Sequence, residues 1–244
     1  MSIERKRHDR SESNDRRGAP KRMVRLAMTD SPPYGPVNFL VFSASLRAES
    51  LNTRLAHLAG ECIRARGGEV DLASMHDFDG PSYDADIEQS DGIPAGPHEF
   101  RRRLEASDAF VIASPEYNAS MPGVLKNAID WTSRFRPQPF HERHTLLLSA
   151  SPSMMGGNRS LWALRVPLEH LGARVYPDMF SLAQAHTAFN EQGGLSSPQL
   201  KERFDTTIVS FMELVEAAKH YPCVKSKWIE FLGERPDPAV DRVE

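Results

Sequence analysis

From residue 37 to about residue 218, short apolar runs alternate with segments whose apolar residues recur at helical spacing. No other feature restricts the fold as strongly. The runs are 37–42 (VNFLVF), 69–73 (EVDLA), 109–113 (AFVIA), 144–149 (HTLLLS) and a short one at 174–176. Between them lie helical patterns. Leu51, Leu55, Leu58, Ala59, Cys62 and Ile63 precede Gly67-Gly68, which can end a helix. A helix is predicted from about residue 99 to 106, and Pro122 sits where a first turn tolerates it, ahead of Leu125, Ala128, Ile129, Thr132 and Phe135. Leu161, Leu164, Leu168 and Leu171 come next, closed by Gly172, with Pro167 expected to kink or break that helix. The last long helix carries Leu200, Phe204, Ile208, Phe211 and Val215. Residues 76–98, rich in Asp, Gly and Pro, read as a long surface loop.

Five strands alternating with helices predict an α/β three-layer sandwich: a parallel sheet covered on both faces. Right-handed crossovers narrow the topology to a flavodoxin-like strand order, 2-1-3-4-5. In such sheets ligands sit beyond the carboxyl ends of the strands, where the chain order switches between strands 1 and 3. The residues that carry chemistry should therefore follow strands 1, 3 and 4.

Composition sets the surroundings. The chain is 40% hydrophobic and 26% charged, ordinary for a globular protein, with a net charge of −3. Residues 1–36 hold nine Lys/Arg and five Asp/Glu and few large apolar side chains, so they read as a disordered basic tail. Acids are interleaved in it and no aromatic platform accompanies it, so nucleic acid is not the expected partner. SPPYGP at 31–36 divides the tail from a packed unit at 37–220, and residues 221–244 form a C-terminal extension with Trp228, Phe231 and Leu232. No apolar run approaches the roughly 20 residues of a membrane span. The start lacks the apolar stretch of a secretory signal, and two cysteines make no disulfide framework. A cytoplasmic protein is expected.

The loop after strand 1 reads Ser43-Ala44-Ser45-Leu46-Arg47-Ala48-Glu49-Ser50-Leu51-Asn52-Thr53. It has no glycine, so it is not the loop that cradles a pyrophosphate. Four hydroxyls, an amide and Arg47 ahead of a helix N-terminus suit a single phosphate monoester. Helix capping by Ser50 or Asn52 would explain one such residue, not the cluster. After strand 3, in the segment from Ser114 through Glu116 to Gly123, Pro115 restrains the backbone, and Tyr117 and Asn118 combine a flat ring with a polar edge, suited to the rim of an aromatic heterocycle. After strand 4, Ser149 and Ser151 lead to Gly156-Gly157, which permit close backbone approach.

These three segments, SASLRAESLNT, SPEYNASMPGVLKNAIDW and SASPSMMGGNR, in this order, resemble the NADPH-dependent FMN reductase family over about residues 37–218. The middle segment is the most specific. The resemblance implies non-covalent FMN and NADPH as co-substrate, with electrons passed to a small acceptor such as free flavin, a quinone, chromate or an azo compound. It also implies a homodimer or homotetramer. By that match Ser43, Ser45, Arg47, Ser50, Asn52 and Thr53 surround the ribityl phosphate. Pro115 to Asn118 line the ring edge, and Ser149, Ser151, Gly156 and Gly157 close over the ring. One position departs: Ala44 stands where the family usually has glycine.

No catalytic side chain is required by such chemistry, because orientation and stacking carry it. The scattered His141, His144, His170 and His186 lack metal-ligand spacing. The elbow of a serine hydrolase and the P-loop are both absent. A flavodoxin-like electron carrier, or a sensor serving a protein partner, is the alternative reading. For a nicotinamide 2′-phosphate, Arg134, Arg136 and Arg159 are the candidates.

Overall fold

The computed structural model describes residues 35–220, so nearly all of the 1–36 tail and all of the 221–244 extension lie outside it. Strands β1 (Asn38–Ser43), β2 (Glu69–Ser74), β3 (Ala109–Ala113) and β4 (His144–Ala150) form a parallel sheet in the order β2-β1-β3-β4, with β5 (Arg174–Val175) outermost. A further strand, β6 (Phe180–Leu182), also pairs with β4. The fifth position of the sheet is thus filled by two short strands. Arg174 and Val175 pair with the start of β4, and Phe180 to Leu182 pair with its end.

Alternation along each strand divides the core in two. Phe39 and Val41 of β1, Val111 of β3, and Leu146 and Leu148 of β4 face α1 (Leu51–Arg64) and α7 (Pro198–His220). Leu40, Phe42, Phe110, Ile112 and Leu147 face α3 (Ala95–Ala106), α4 (Gly123–Thr132) and α5 (Asn158–His170). Every strand residue named here is fully buried, which is why the central runs lack a polar face. The two remaining helices are short: α2 (Ala85–Asp91) and α6 (Ala185–Ala188).

Two expectations change. Residues 76–98 are not a loop throughout. A 3₁₀ turn at Met75–Phe78 buries Phe78, which stacks on Phe100 at 4.5 Å and meets Phe42 edge-on at 5.2 Å. Burial of one such ring is worth about 2–3 kcal/mol. Several of the Asp, Gly and Pro residues that suggested a loop are helix ends instead. Ser74 and Asp77 close a capping box, Asp84 caps α2, Gly92 ends it at φ 80°, and Pro94 opens α3. In addition, α5 runs through Pro167 to His170 before Gly172 ends the chain's turn at φ 85°. Near a helix end the proline removes a single hydrogen bond, and the buried Leu164 and Leu168 on either side hold the helix in place.

The segment ahead of α2 is clamped onto α4 by two side chains of the PGVLKNAIDW stretch. Asn127 accepts from the Tyr83 backbone N–H at 2.8 Å and donates to the carbonyls of Gly80 and Pro81 at 3.2 and 2.8 Å. The Trp131 indole N–H donates to the same Pro81 carbonyl at 2.8 Å. Gly96 allows the close crossing beneath, since a Cβ there would stand 2.1 Å from the Asp79 carbonyl oxygen. Asn127→Ala removes three hydrogen bonds and is expected to lower unfolding free energy by about 2 kcal/mol. Urea denaturation checks this, with Lys126→Ala on the exposed side of α4 as the control that should change little.

Candidate functional site

Register brings the three loops side by side. Ser43 pairs with Ala113, and Ala113 with Leu148, so β1, β3 and β4 reach their carboxyl ends together. The ladder continues one step into each loop. The Ala44 N–H donates to the Ala113 carbonyl at 2.9 Å, that of Ser114 to Leu148 at 2.8 Å, and that of Ser151 to Leu182 at 3.1 Å. The loops therefore leave the sheet from fixed points. Ala44 is fully buried in the core layer with Phe42 and Met75, and its φ is not positive, so its methyl group is absorbed by packing without backbone strain.

The first loop opens α1. Ser50 is the N-cap and its hydroxyl accepts from the Asn52 N–H at 3.2 Å. No acidic residue lies in the first turn, so the partial positive charge of this helix end is uncompensated there. Ser45 accepts from the Arg47 N–H at 3.2 Å. The Arg47 side chain is exposed and has no ion-pair partner among the described residues. His76 Nε2 lies 3.1 Å from the Leu46 carbonyl oxygen and tethers the loop from the side of β2. Thr53 is half-buried in the first turn.

Asn52 does something the sequence did not suggest. It is buried, and both ends of its amide are used on Ala150: Nδ2 donates to the carbonyl at 2.9 Å and Oδ1 accepts from the N–H at 2.8 Å. It joins the start of α1 to the end of β4. Arg54 is the feature that sequence reasoning passed over. Its guanidinium stands 4.3 Å from the Phe189 ring and adds a second cation to the first turn of α1.

In the second loop, Pro115 is buried, and Tyr117 and Ser120 exchange two backbone hydrogen bonds of 3.0 Å each. Asn118 and Ala119 between them have φ of 53° and 63°, the pair of left-handed residues of a tight hairpin turn. Ala119 carries a Cβ in this conformation at a cost of roughly 1 kcal/mol. The turn holds out the Tyr117 ring, 52% exposed. Glu116 does not face the same way. Its carboxylate is bound by Arg159, from the backbone N–H at 3.0 Å and from Nε at 2.8 Å.

In the third loop, Ser151 accepts from the Ser153 N–H at 3.2 Å. Gly156 and Gly157 have φ of 61° and 82° and pack on their neighbours, so that a Cβ on Gly157 would lie 1.9 Å from Ser149 Oγ. Ser149 is fully buried beneath it, and its hydroxyl, like that of Ser43, has no hydrogen-bond partner among the described residues. Of the arginines considered for a second phosphate, Arg134 is paired with Glu88 at 3.0 Å, Arg159 with Glu116, and Arg136 donates to the carbonyls of Ser133 and Phe135. Among the described residues no cluster of His, Cys, Asp and Glu could hold a metal ion. Cys62 is a core residue whose thiol burial pushes up to about 11.

The NADPH-dependent FMN reductase family model matches residues 37–187. An NAD(P)H-dependent FMN reductase of Pseudomonas aeruginosa is 35% identical over 168 residues, 68% of this chain and 88% of that protein. A quinone reductase of Escherichia coli K12 is 39% identical over 131 residues, 54% of this chain and 69% of that protein. The structure of FerB, a flavoenzyme NAD(P)H:(acceptor) oxidoreductase from Paracoccus denitrificans, superposes with a TM-score of 0.65 at 27% identity, covering 74% of this chain and 97% of that one. The sheet order, the three aligned loops and these likenesses agree, and the chain belongs to the NADPH-dependent FMN reductase family of oxidoreductases.

Proposed function

We propose that the crevice above β1, β3 and β4 binds FMN, and that the protein uses it to pass electrons from a reduced nicotinamide to a small acceptor of the quinone class. The observation that carries this reading is the electrostatics of the first loop. Arg47 has no carboxylate partner among the described residues, and it precedes a helix whose first turn holds no acid. That combination calls for an anion.

The residues present fit the cofactor. The Ser43 hydroxyl, buried and without a partner among the described residues at the carboxyl end of β1, is a polar atom that a ligand would satisfy. The left-handed glycines keep the third loop flat against β4 and β6, where a Cβ on Gly156 would collide with the β6 backbone and one on Gly157 with the Ser149 side chain. Arg47, Ser45, Thr53 and the N–H groups opening α1 would hold the phosphate, with Ser50 shaping that turn. Asn52 acts one step back, fixing this helix end against β4. Pro115, Tyr117 and Asn118 would border the ring on one side, and Ser151 with Gly156 and Gly157 on the other. Bound FMN supplies two-electron redox chemistry between nicotinamide and acceptor. The protein's part is to bind, orient and exclude water, and no side chain need exchange a proton.

The unit that does this is taken as residues 37–220. Among the described residues no helix is long and apolar enough to cross a membrane. The proposed location is the cytoplasm, where reduced nicotinamide is available as co-substrate. Self-association fits the surface. Met155, Trp162 (58% exposed) and Val166 (70% exposed) form an apolar stripe along α5 that starts at the third loop. A second copy of the chain is its proposed occupant.

Purified protein should show the absorbance of bound flavin, or acquire it with added FMN, and should consume NADPH when a quinone is supplied. An electron carrier would show no such consumption without a separate reductase. Arg47→Ala is expected to weaken FMN binding by about 1.5–3 kcal/mol, the range for a hydrogen bond to a charged group. Flavin fluorescence titration reads this, and unchanged affinity would remove Arg47 from the site. Trp162→Glu should shift the protein to monomer in light scattering, while a wild-type protein that is already monomeric refutes the interface.

A further inference from the structure

The second and third loops are joined by one buried carboxylate. The Glu116 side chain is 8% exposed although its partner Arg159 is 57% exposed. Its Oε2 accepts the Arg159 backbone N–H at 3.0 Å, and its Oε1 accepts from Nε at 2.8 Å and Nη2 at 2.5 Å. That backbone N–H is one of the unsatisfied donors in the first turn of α5. The helix has no cap of its own, because its N-cap is Gly157 in the left-handed conformation, with no side chain to offer. Glu116 thus caps α5 from a different loop, 43 residues earlier in the chain.

We propose that Glu116 is a positioning residue that latches together the two loops bordering the ring, and that its charge sets the electrostatic balance on that side of the crevice. The inference rests on the FMN reading above. Two positive elements meet there: the Arg159 guanidinium and the helix end with the N–H groups of its first turn. The carboxylate compensates them, so the start of α5 offers no seat for an anion. At the start of α1 the corresponding compensation is missing and Arg47 is unpaired, so the phosphate is directed to that end alone. The latch also holds the third loop down. Gly157 lies 3.7 Å, at its missing Cβ, from the Glu116 Cβ, and presses on Ser149 from above.

The test uses two ligands, FMN and riboflavin, which share the ring and differ in the phosphate. Glu116→Gln preserves shape and removes charge. It should weaken riboflavin by about tenfold and FMN by no more than that, since the uncompensated positive charge acts in favour of the phosphate, whereas Arg47→Ala should weaken FMN and spare riboflavin. The midpoint potential of the bound flavin gives a readout that a merely structural role would not move. Glu116→Gln leaves uncompensated positive charge beside the ring and should raise the potential. Arg159→Gln leaves the carboxylate and should lower it, and Arg159→Lys, which keeps the charge, should restore it. If Glu116→Gln does not fold, the two Arg159 variants carry the test. Unchanged riboflavin affinity, loss of FMN affinity alone, or potentials that move in the same direction in Glu116→Gln and Arg159→Gln would overturn the latch while leaving the flavin site intact. A wild-type protein that binds neither flavin overturns the site itself, and the latch with it.

Discussion

Everything in the crevice depends on the in-register pairing of three strands buried on both faces. A slip of one residue between β1 and β3 would exchange the side chains of Phe39 and Val41 with those of Leu40 and Phe42, turning each set toward the wrong helix layer. Both core layers hold interlocked aromatic rings, Phe42, Phe78 and Phe100 on the α3 side and Phe180 with Phe204 on the α7 side, so register is fixed by packing on both faces. Ser43, Ser114 and Ser149 then stand at defined heights. Loops that leave from defined heights can be short and still form one surface.

The clips between loops follow the same logic. Asn52 reaches Ala150, His76 reaches Leu46, and Glu116 reaches Arg159. Each joins the connection beyond one strand to the end of another strand or to the connection beyond it, at sequence separations of 98, 30 and 43 residues. The crevice is built from side chains that mostly point at other parts of the protein. Only a few stay exposed and unengaged among the described residues, and Arg47 and Tyr117 are the ones proposed to meet a ligand.

That distinction explains what could be read in advance. Strand order and the positions of the three loops were legible because they depend on apolar periodicity and on the handedness of crossovers, which act locally. Residue types at the loops were legible as a set, since Ser, Asn and Arg before a helix have few uses. The division of labour within the set was not. Asn52 and Thr53 are adjacent in the first turn, yet one is sealed against β4 and the other is not, and only the position of Ala150 decides between them. Residues 76–98 were misread for a related reason. Asp, Gly and Pro have the same local preference in a loop and at a helix end, and the burial of Phe78 against Phe100 determines which is realised. The break in the fifth strand, between Val175 and Phe180, has no local marker beyond Pro177.

Two helices begin beside this crevice, and their first turns differ in charge. The α1 turn is capped by a neutral hydroxyl and flanked by Arg47 and Arg54, while the α5 turn is capped by a carboxylate from another loop. A dianionic phosphate placed at α5 would meet Glu116 directly, and at α1 it meets no acid in the first turn. The absence of glycine from the first loop is consistent with this. A pyrophosphate must lie against bare backbone, but a terminal phosphate can be held by hydroxyls and a guanidinium that extend toward it. The second cation of α1 is kept near the site by the Phe189 ring rather than by an acid, so its charge is not cancelled. On the proposed reading, one helix end would attract an anion and its neighbour would not, and the ring of a mononucleotide would then lie in a single direction across β3.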